Sequence, residues 1–267
     1  MINEKQNYSK YLVIFVDVLG SQNKTDFQES YLINTVFHEE FQAQSNNDMP
    51  HTVYQRKVFT FSDCAYIFYQ FKDNVEEERK DIGALFKVAI CNCEPIFLRL
   101  LKEKILFRGG VYYGDAYVDT ERNMFFGPAV VEAYKLESKT AVHPRIIIDS
   151  FVAEKIDDSI QRSIDAFLQN SPQADLLPII GESSFGRGVV EKDIDDKYIL
   201  NYLHSTETNT VLQGCYSSSF DFLNEIIDYC QSQIETINDY RVIDKIYYLL
   251  RFASKKCHNL IEHNNGI

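Results

Sequence analysis

The chain has no surplus of positive charge. Lys and Arg number 27 against 39 Asp and Glu, a formal net charge of −12. A protein that coats nucleic acid or an anionic membrane needs a basic face, so neither partner is expected. Long apolar runs are missing as well. No stretch approaches the ~20 residues that span a bilayer, and the polar start through Lys10 lacks the basic-then-apolar order of a secretory signal. The expectation is a soluble, cytoplasmic protein with reduced thiols. Internal repeats and low-complexity tracts are absent, and 19 Phe and 17 Tyr exclude a disordered chain. There is no P-loop and no G-x-G-x-x-G. None of the six histidines lies near a G-x-S-x-G elbow, so Ser-His-Asp chemistry has no support. The six cysteines (Cys64, Cys91, Cys93, Cys215, Cys230 and Cys257) offer Cys91-x-Cys93 but no second Cys/His pair at metal-binding spacing. Buried thiols are the better reading.

What is present is enough for a sizeable core. The 267 residues allow one large domain, or one with an appendage. Tyr11-Leu-Val-Ile-Phe-Val-Asp17-Val-Leu-Gly20 is a short, β-branched apolar run, the pattern of a strand buried on both faces. A helix is expected over 26–44, its apolar face made by Phe27, Tyr31, Val36, Phe37 and Phe41. Strands follow over 52–61 and 64–71, joined by Ser62-Asp63 as a tight hairpin. A long helix is expected over 75–103, kinked or broken at Pro95. Leu106–Tyr113 and Asp115–Asp119 read as a second hairpin about Gly114. A Gly-Pro-opened helix then covers 127–138, and a strand covers 145–149. The order β-α-β-β-α-β-β-α-β implies an α+β, ferredoxin-like core with an extra hairpin and helices on one face. Beyond residue 150 the pattern loosens into a loop at 181–188 and a strand-like run at 198–203 that would close the sheet. Two final helices follow, over 219–237 and 242–261. Their apolar residues, Phe220, Phe222 and Leu223 among them, would pack on the core or serve as a lid or dimer contact.

Asp17 is the most informative residue. It follows six apolar residues in an expected buried strand, where a carboxylate is costly unless paired or metal-bound. Gly20 then lets the backbone approach a ligand closely. Asp63, at the hairpin tip, would lie beside the end of the first strand. Two carboxylates at one sheet edge suit Mg²⁺ or Mn²⁺, and two such metals clamp an in-line displacement at phosphate. The plainer alternatives are an Asp capping a turn and an Asp favoured in one. Arg108-Gly109-Gly110 clears space for a guanidinium to meet phosphate oxygens, or is a surface Arg before a Gly bulge. The Gly127-Pro128 helix start could present N–H groups to an anion. Lys135, two turns on, is by itself a solvated lysine.

In order and spacing, these motifs resemble a class III nucleotidyl cyclase homology domain. They are Phe15-Val-Asp17-Val-Leu-Gly20, Phe61-Ser-Asp63, Arg108-Gly-Gly-Val-Tyr-Tyr-Gly114 and Phe126-Gly-Pro-Ala-Val-Val-Glu-Ala-Tyr-Lys-Leu-Glu137. With the Pro144–Asp149 strand and the helical C-terminal sequence, the resemblance is greatest to the bacterial pyrimidine cyclases of the Pycsar antiphage systems. It covers about residues 10–150 well and the remainder loosely. It implies a cyclase domain over 1–205 and a helical extension over 206–267. It also implies that Asp17 and Asp63, with the carbonyl of Val18, bind two Mg²⁺ or Mn²⁺ ions. The turn through Leu19 and Gly20 would hold phosphates, and Arg108 the triphosphate. The 3′-hydroxyl would attack the α-phosphate in line, releasing pyrophosphate.

Two departures from the family matter. Its helix Asn and Arg fall here at Val131 and Lys135, leaving the ribose-orienting Asn unfilled and Lys135 as a point charge on the transition state. The lysine that selects purines in adenylate cyclases falls at Phe59, which shares a strand face with Lys57 and suits a pyrimidine pocket. Lys192 is a candidate for a lysine near the final strands that reaches the triphosphate. The resemblance implies a head-to-tail homodimer with shared sites, UTP as the first-choice substrate, CTP next and a purine nucleotide after that. The partner would be an effector gated by the cyclic nucleotide. A degenerate module that binds nucleotide without turnover is the competing class.

Overall fold

Strand β1 (Ser9–Val18) carries six consecutive buried residues, Tyr11 to Val16. A strand apolar on both faces must be covered on both, so β1 lies inside the sheet. It pairs antiparallel with β3 (Cys64–Phe71) on one side and β4 (Phe107–Asp119) on the other. The computed structural model describes residues 7–21, 26–45, 51–177, 181–208 and 218–265. β2 (Tyr54–Phe61) turns into β3 at Ser62-Asp63, with Ser62 at φ 46°. With α1 (Phe27–Ser45) and α2 (Ile82–Lys102) as crossovers, the order β2-β3-β1-β4 is the expected ferredoxin-like βαββαβ core.

The sheet grows on the β4 side. β6 (Ile146–Ile148) runs parallel to β4, and β8 (Tyr198–Leu200) and β7 (Val190–Lys192) follow antiparallel. The expected strand at 198–203 therefore ends at Leu200 and extends the sheet rather than closing it, because β7 forms the edge.

Several expectations are corrected. Gly114 is no hairpin tip: β4 runs straight through it, pairing it with Tyr11, and the turn comes at 120–123 before β5 (Met124–Phe126). Asn123, at φ 49°, supplies the left-handed residue the turn needs. The second long helix starts at Ile82, not 75, because the Asp81 side chain accepts from Ala84 N–H and caps it. Pro95 stays inside that helix. It and Cys91, whose carbonyl Pro95 leaves without a donor, both lie on the exposed side. Cys91 is thus exposed rather than buried, Cys64 is half-buried, and Cys215 lies outside the described residues. In α1, Phe27 and Tyr31 stack on each other in solvent, while Phe37 and Phe41 enter the core.

Helices cover both faces, not one. Leu12, Ile14 and Val16 face α1 and α2, joined by α4 (Ser150–Asn170), which the loosened pattern after residue 150 concealed. Asp149 caps α4, and Val152, Ile156, Ile160 and Ile164 form its buried stripe. Tyr11, Val13 and Phe15 face the other way, toward α3 (Pro128–Lys135) and the rings of Phe59, Phe68 and Phe125.

Short α5 (His204–Thr208) is tied to α2, Ser205 N–H donating to the buried Glu94 carboxylate. α6 (Ser219–Thr236) and α7 (Tyr240–Asn265) pack on the same large core through Phe222, Leu223, Ile226, Ile246, Leu249 and Phe252, leaving Phe220 exposed. Two ionic clusters pin α7 to the far side of the sheet. Buried Arg145 bonds Asp193 (2.6 Å) and Asp195 (2.8 Å), and Tyr248 donates to Asp193. Fully buried Lys256 meets Glu191, which exposed Lys255 also reaches at 2.9 Å. Removing a buried cation strands its partner, whereas an exposed pair is worth little. Lys256→Ala should therefore cost about 3 kcal/mol and Lys255→Ala less than about 1 kcal/mol in urea unfolding. Equal losses would contradict this assignment.

Candidate functional site

The site forms where β1 ends. There Asp17 stands opposite Cys64 on β3 and Arg108 on β4, all on the α3 side of the pleat. Val18 N–H donates to the Asp63 carbonyl at 2.9 Å, and Leu19 N–H to Leu106 at 2.8 Å. Gly20 then adopts φ 80°, which lets the chain turn back so that the Ser21 hydroxyl donates to the Asp63 carboxylate. The 18–21 turn thus wraps the hairpin tip, and Asp17 and Asp63 share one sheet edge, as the sequence pattern implied.

This edge is crowded with negative charge. Burial pushes the Asp17 carboxyl above its ordinary value; Arg108 opposes that and Asp63 adds to it. Cys64 is pushed up to about 11 by burial, then by the charges of Asp17, Asp63 and Glu137. Arg108 is the counter-charge. Its Nη2 lies 3.3 Å and its Nε 3.4 Å from Asp17 Oδ2, while Nε stands 2.6 Å from Glu137 Oε1 as an ion pair.

Sequence reasoning assigned Glu137 no role. Its side chain is 2% exposed, and burial raises it to about 7, with Arg108 opposing and Asp17 adding to the rise. The signal was available: Ala129, Ala133 and Glu137 recur every four residues, so the buried stripe of α3 runs on into a carboxylate. Gly110 makes the approach possible. A Cβ there would lie 2.2 Å from the Ala133 carbonyl oxygen and 2.7 Å from Leu136 Cβ, so only glycine lets this stretch rest on β4.

Other expected site residues are not gathered here within one chain. Lys135 pairs with Glu132 at 2.7 Å, and Val131 is exposed beside it. Phe59 is buried against Phe68 and Phe125 and offers no free face for stacking. Lys57 reaches the Val118 carbonyl at 3.4 Å. Lys192 sits on edge strand β7, three strand spacings from β4, roughly 14 Å away. Gly127, at φ 136°, opens α3 against β4, where a Cβ would meet the Asp115 carbonyl oxygen at 2.7 Å.

For a metal, the donors are two carboxylates. No group of three or more His, Cys, Asp or Glu forms a metal cage among the described residues. Two mutually repelling, half-buried carboxylates beside a backbone turn fit a hard cation that keeps water and phosphate oxygens as its other ligands, as Mg²⁺ does. They do not fit a closed structural site. No helix among the described residues is long and apolar enough to cross a membrane.

The Glu137 shift carries a stability signature. The folded value, about 7, lies above the ordinary 4.5. The stability contributed by the protonated group is complete below the lower value and is lost as pH rises through the higher. Thermal melts of the wild type should fall across that window, and Glu137→Gln should flatten the fall. Parallel pH profiles would refute the shift.

No family model matches the chain, and no curated protein matches it. Two of the solved structures that match are guanylyl cyclase domains. One is the catalytic core of a rhodopsin-guanylyl cyclase with converted specificity in complex with ATPαS, at 18% identity and TM-score 0.43, covering 58% of this chain and 84% of that one. The other is the monomeric guanylyl cyclase domain of the RhoGC fusion protein from the aquatic fungus Blastocladiella emersonii, at 17% identity and TM-score 0.41, covering 58% and 88%.

Proposed function

We propose that this chain is a class III-type nucleotidyl cyclase that converts a pyrimidine nucleoside triphosphate, UTP in the first place, to the 3′,5′-cyclic monophosphate and pyrophosphate. The observation that carries the reading is the convergence of Asp17 and Asp63 at the end of β1, with Arg108 beside them. Bound to the two carboxylates and the Val18 carbonyl, divalent cations would lower the pKa of the attacking hydroxyl and neutralise the leaving group. The chain's own part is positioning and charge. The Leu19-Gly20 turn offers backbone to phosphates, and the Arg108 guanidinium meets triphosphate oxygens.

The face carrying the site supports a head-to-tail homodimer with shared sites. Phe61, Phe126, Val131 and Tyr134 are exposed there, a patch that favours a protein contact. Lys135 would then serve the partner's carboxylates as a transition-state charge. The pyrimidine base belongs to the same proposal, on the resemblance alone: Phe59 stands where adenylate cyclases place a purine-selecting lysine and shares a strand face with Lys57, while its ring is enclosed by Phe68 and Phe125. The division into a cyclase domain over 1–205 and an extension over 206–267 belongs to the same proposal. So does a role in antiphage defence through an effector gated by the product. Val131, in place of a ribose-orienting Asn, favours the second reading, a nucleotide-binding module without turnover.

Incubation with Mn²⁺ and each of the four nucleoside triphosphates, with products separated by chromatography, decides between the two. The cyclase reading expects one cyclic product, from UTP, and a loss of about a thousandfold or more in Asp17→Ala or Asp63→Ala. No cyclic product from any triphosphate would sink it. Mixing Asp17→Ala with Lys135→Ala should restore part of the activity, because one intact site re-forms in the heterodimer. Absence of rescue despite demonstrated subunit exchange would refute the shared site.

A further inference from the structure

We propose that Glu137 is the positioning residue for Arg108: it anchors the guanidinium as a buried ion-pair partner beside Nε, so that Asp17 is the exchangeable partner and a triphosphate takes Asp17's place on Arg108. This rests on the reading of the site as one for nucleoside triphosphates, and it assigns a role to a residue outside the metal and phosphate contacts named above.

The geometry is unequal. Arg108 Nε is 2.6 Å from Glu137 Oε1 as an ion pair, while the hydrogen bonds of Nε and Nη2 both go to Asp17 and are long, at 3.4 and 3.3 Å, and Glu137 Oε1 accepts none. Glu137 is 2% exposed against 22% for Asp17. Withdrawing Arg108 from Glu137 would strand a buried carboxylate, a far larger penalty than leaving Asp17, which solvent or a cation can serve. Nη1 has no partner among the described residues, and Nη2 has only the long contact to Asp17. An arginine anchored by a buried ion pair on its inner side leaves its outer nitrogens to grip an anion, with less rotamer freedom to lose on binding. When a divalent cation occupies Asp17, the Nη2 contact becomes redundant and that nitrogen turns to phosphate oxygens. The anchor itself is rigid, because Gly110 lets the end of α3 rest directly on β4 and the Arg145 side chain holds the Thr140 carbonyl at 3.0 Å from behind.

The test uses inorganic tripolyphosphate in Mg²⁺, whose binding by calorimetry needs no turnover. Wild-type protein should bind it. Glu137→Gln should weaken binding about tenfold and Arg108→Met by at least as much, while the double variant should be no weaker than Arg108→Met alone, because Glu137 acts only through Arg108. If Arg108→Met does not fold, Arg108→Gln replaces it: it removes the charge Glu137 acts on, and Glu137→Gln should add nothing on top. Additive losses, unchanged binding in Glu137→Gln, or no binding by the wild type would each overturn the proposal. Failure of the cyclase reading is seen separately, as tripolyphosphate binding with the expected coupling but no cyclic product from any nucleotide.

Discussion

A single guanidinium stands between two carboxylates at the end of the innermost strand, and the geometry around it follows from that placement. Arg108 can neutralise both Asp17 and Glu137 only because β1 and β4 are in register at 17 and 108 and because α3 descends onto β4 over a glycine. Buried like charges are costly without such a partner. The site is therefore strained electrostatically toward positive ligands and, through the spare nitrogens of Arg108, toward anionic ones. An acidic protein, at net −12, can still attract an anion in this way, by local positive charge rather than by bulk charge.

The two faces of the sheet divide the labour. One bears a broad apolar core under α1, α2, α4, α6 and α7, which supplies stability. The other carries, among the described residues, α3 and a compact aromatic cluster, which leaves the carboxylates and several apolar side chains at the surface. A chemical site needs access, and a helix on only part of a face provides it. The ionic ties from Arg145 and Lys256 to the β7–β8 edge hold α7 far from the carboxylates, so the C-terminal helices reinforce the sheet from its other end.

Much of this was legible in the chain itself. The run from Tyr11 to Val18 could only be a buried strand, the Ser62-Asp63 turn could only be tight, and the order of elements implied the ferredoxin-like core. Asp17, Asp63 and Arg108 stood out because charge at the edge of apolar strands requires a reason. What was not legible depended on contacts distant in sequence. Gly114 looks like a turn residue until Tyr11 pairs with it, and Pro95 looks like a break until its helix is seen to present it to solvent. The stripe Val152, Ile156, Ile160 and Ile164 marks α4 as a helix, but nothing local reveals that it shares the core with α2, because that contact joins segments distant in sequence.

Sequence alone determined the strand pattern, the core topology and the two carboxylates, because hydrophobic periodicity and the cost of burying charge act locally and leave marks in adjacent residues. Tertiary structure decided which groups meet. It enclosed Phe59, left Lys135 with Glu132, set Lys192 three strands from β4, and brought Glu137 to Arg108. Those outcomes depend on sheet order and on how closely a helix can approach a strand, which here turns on the missing Cβ of Gly110.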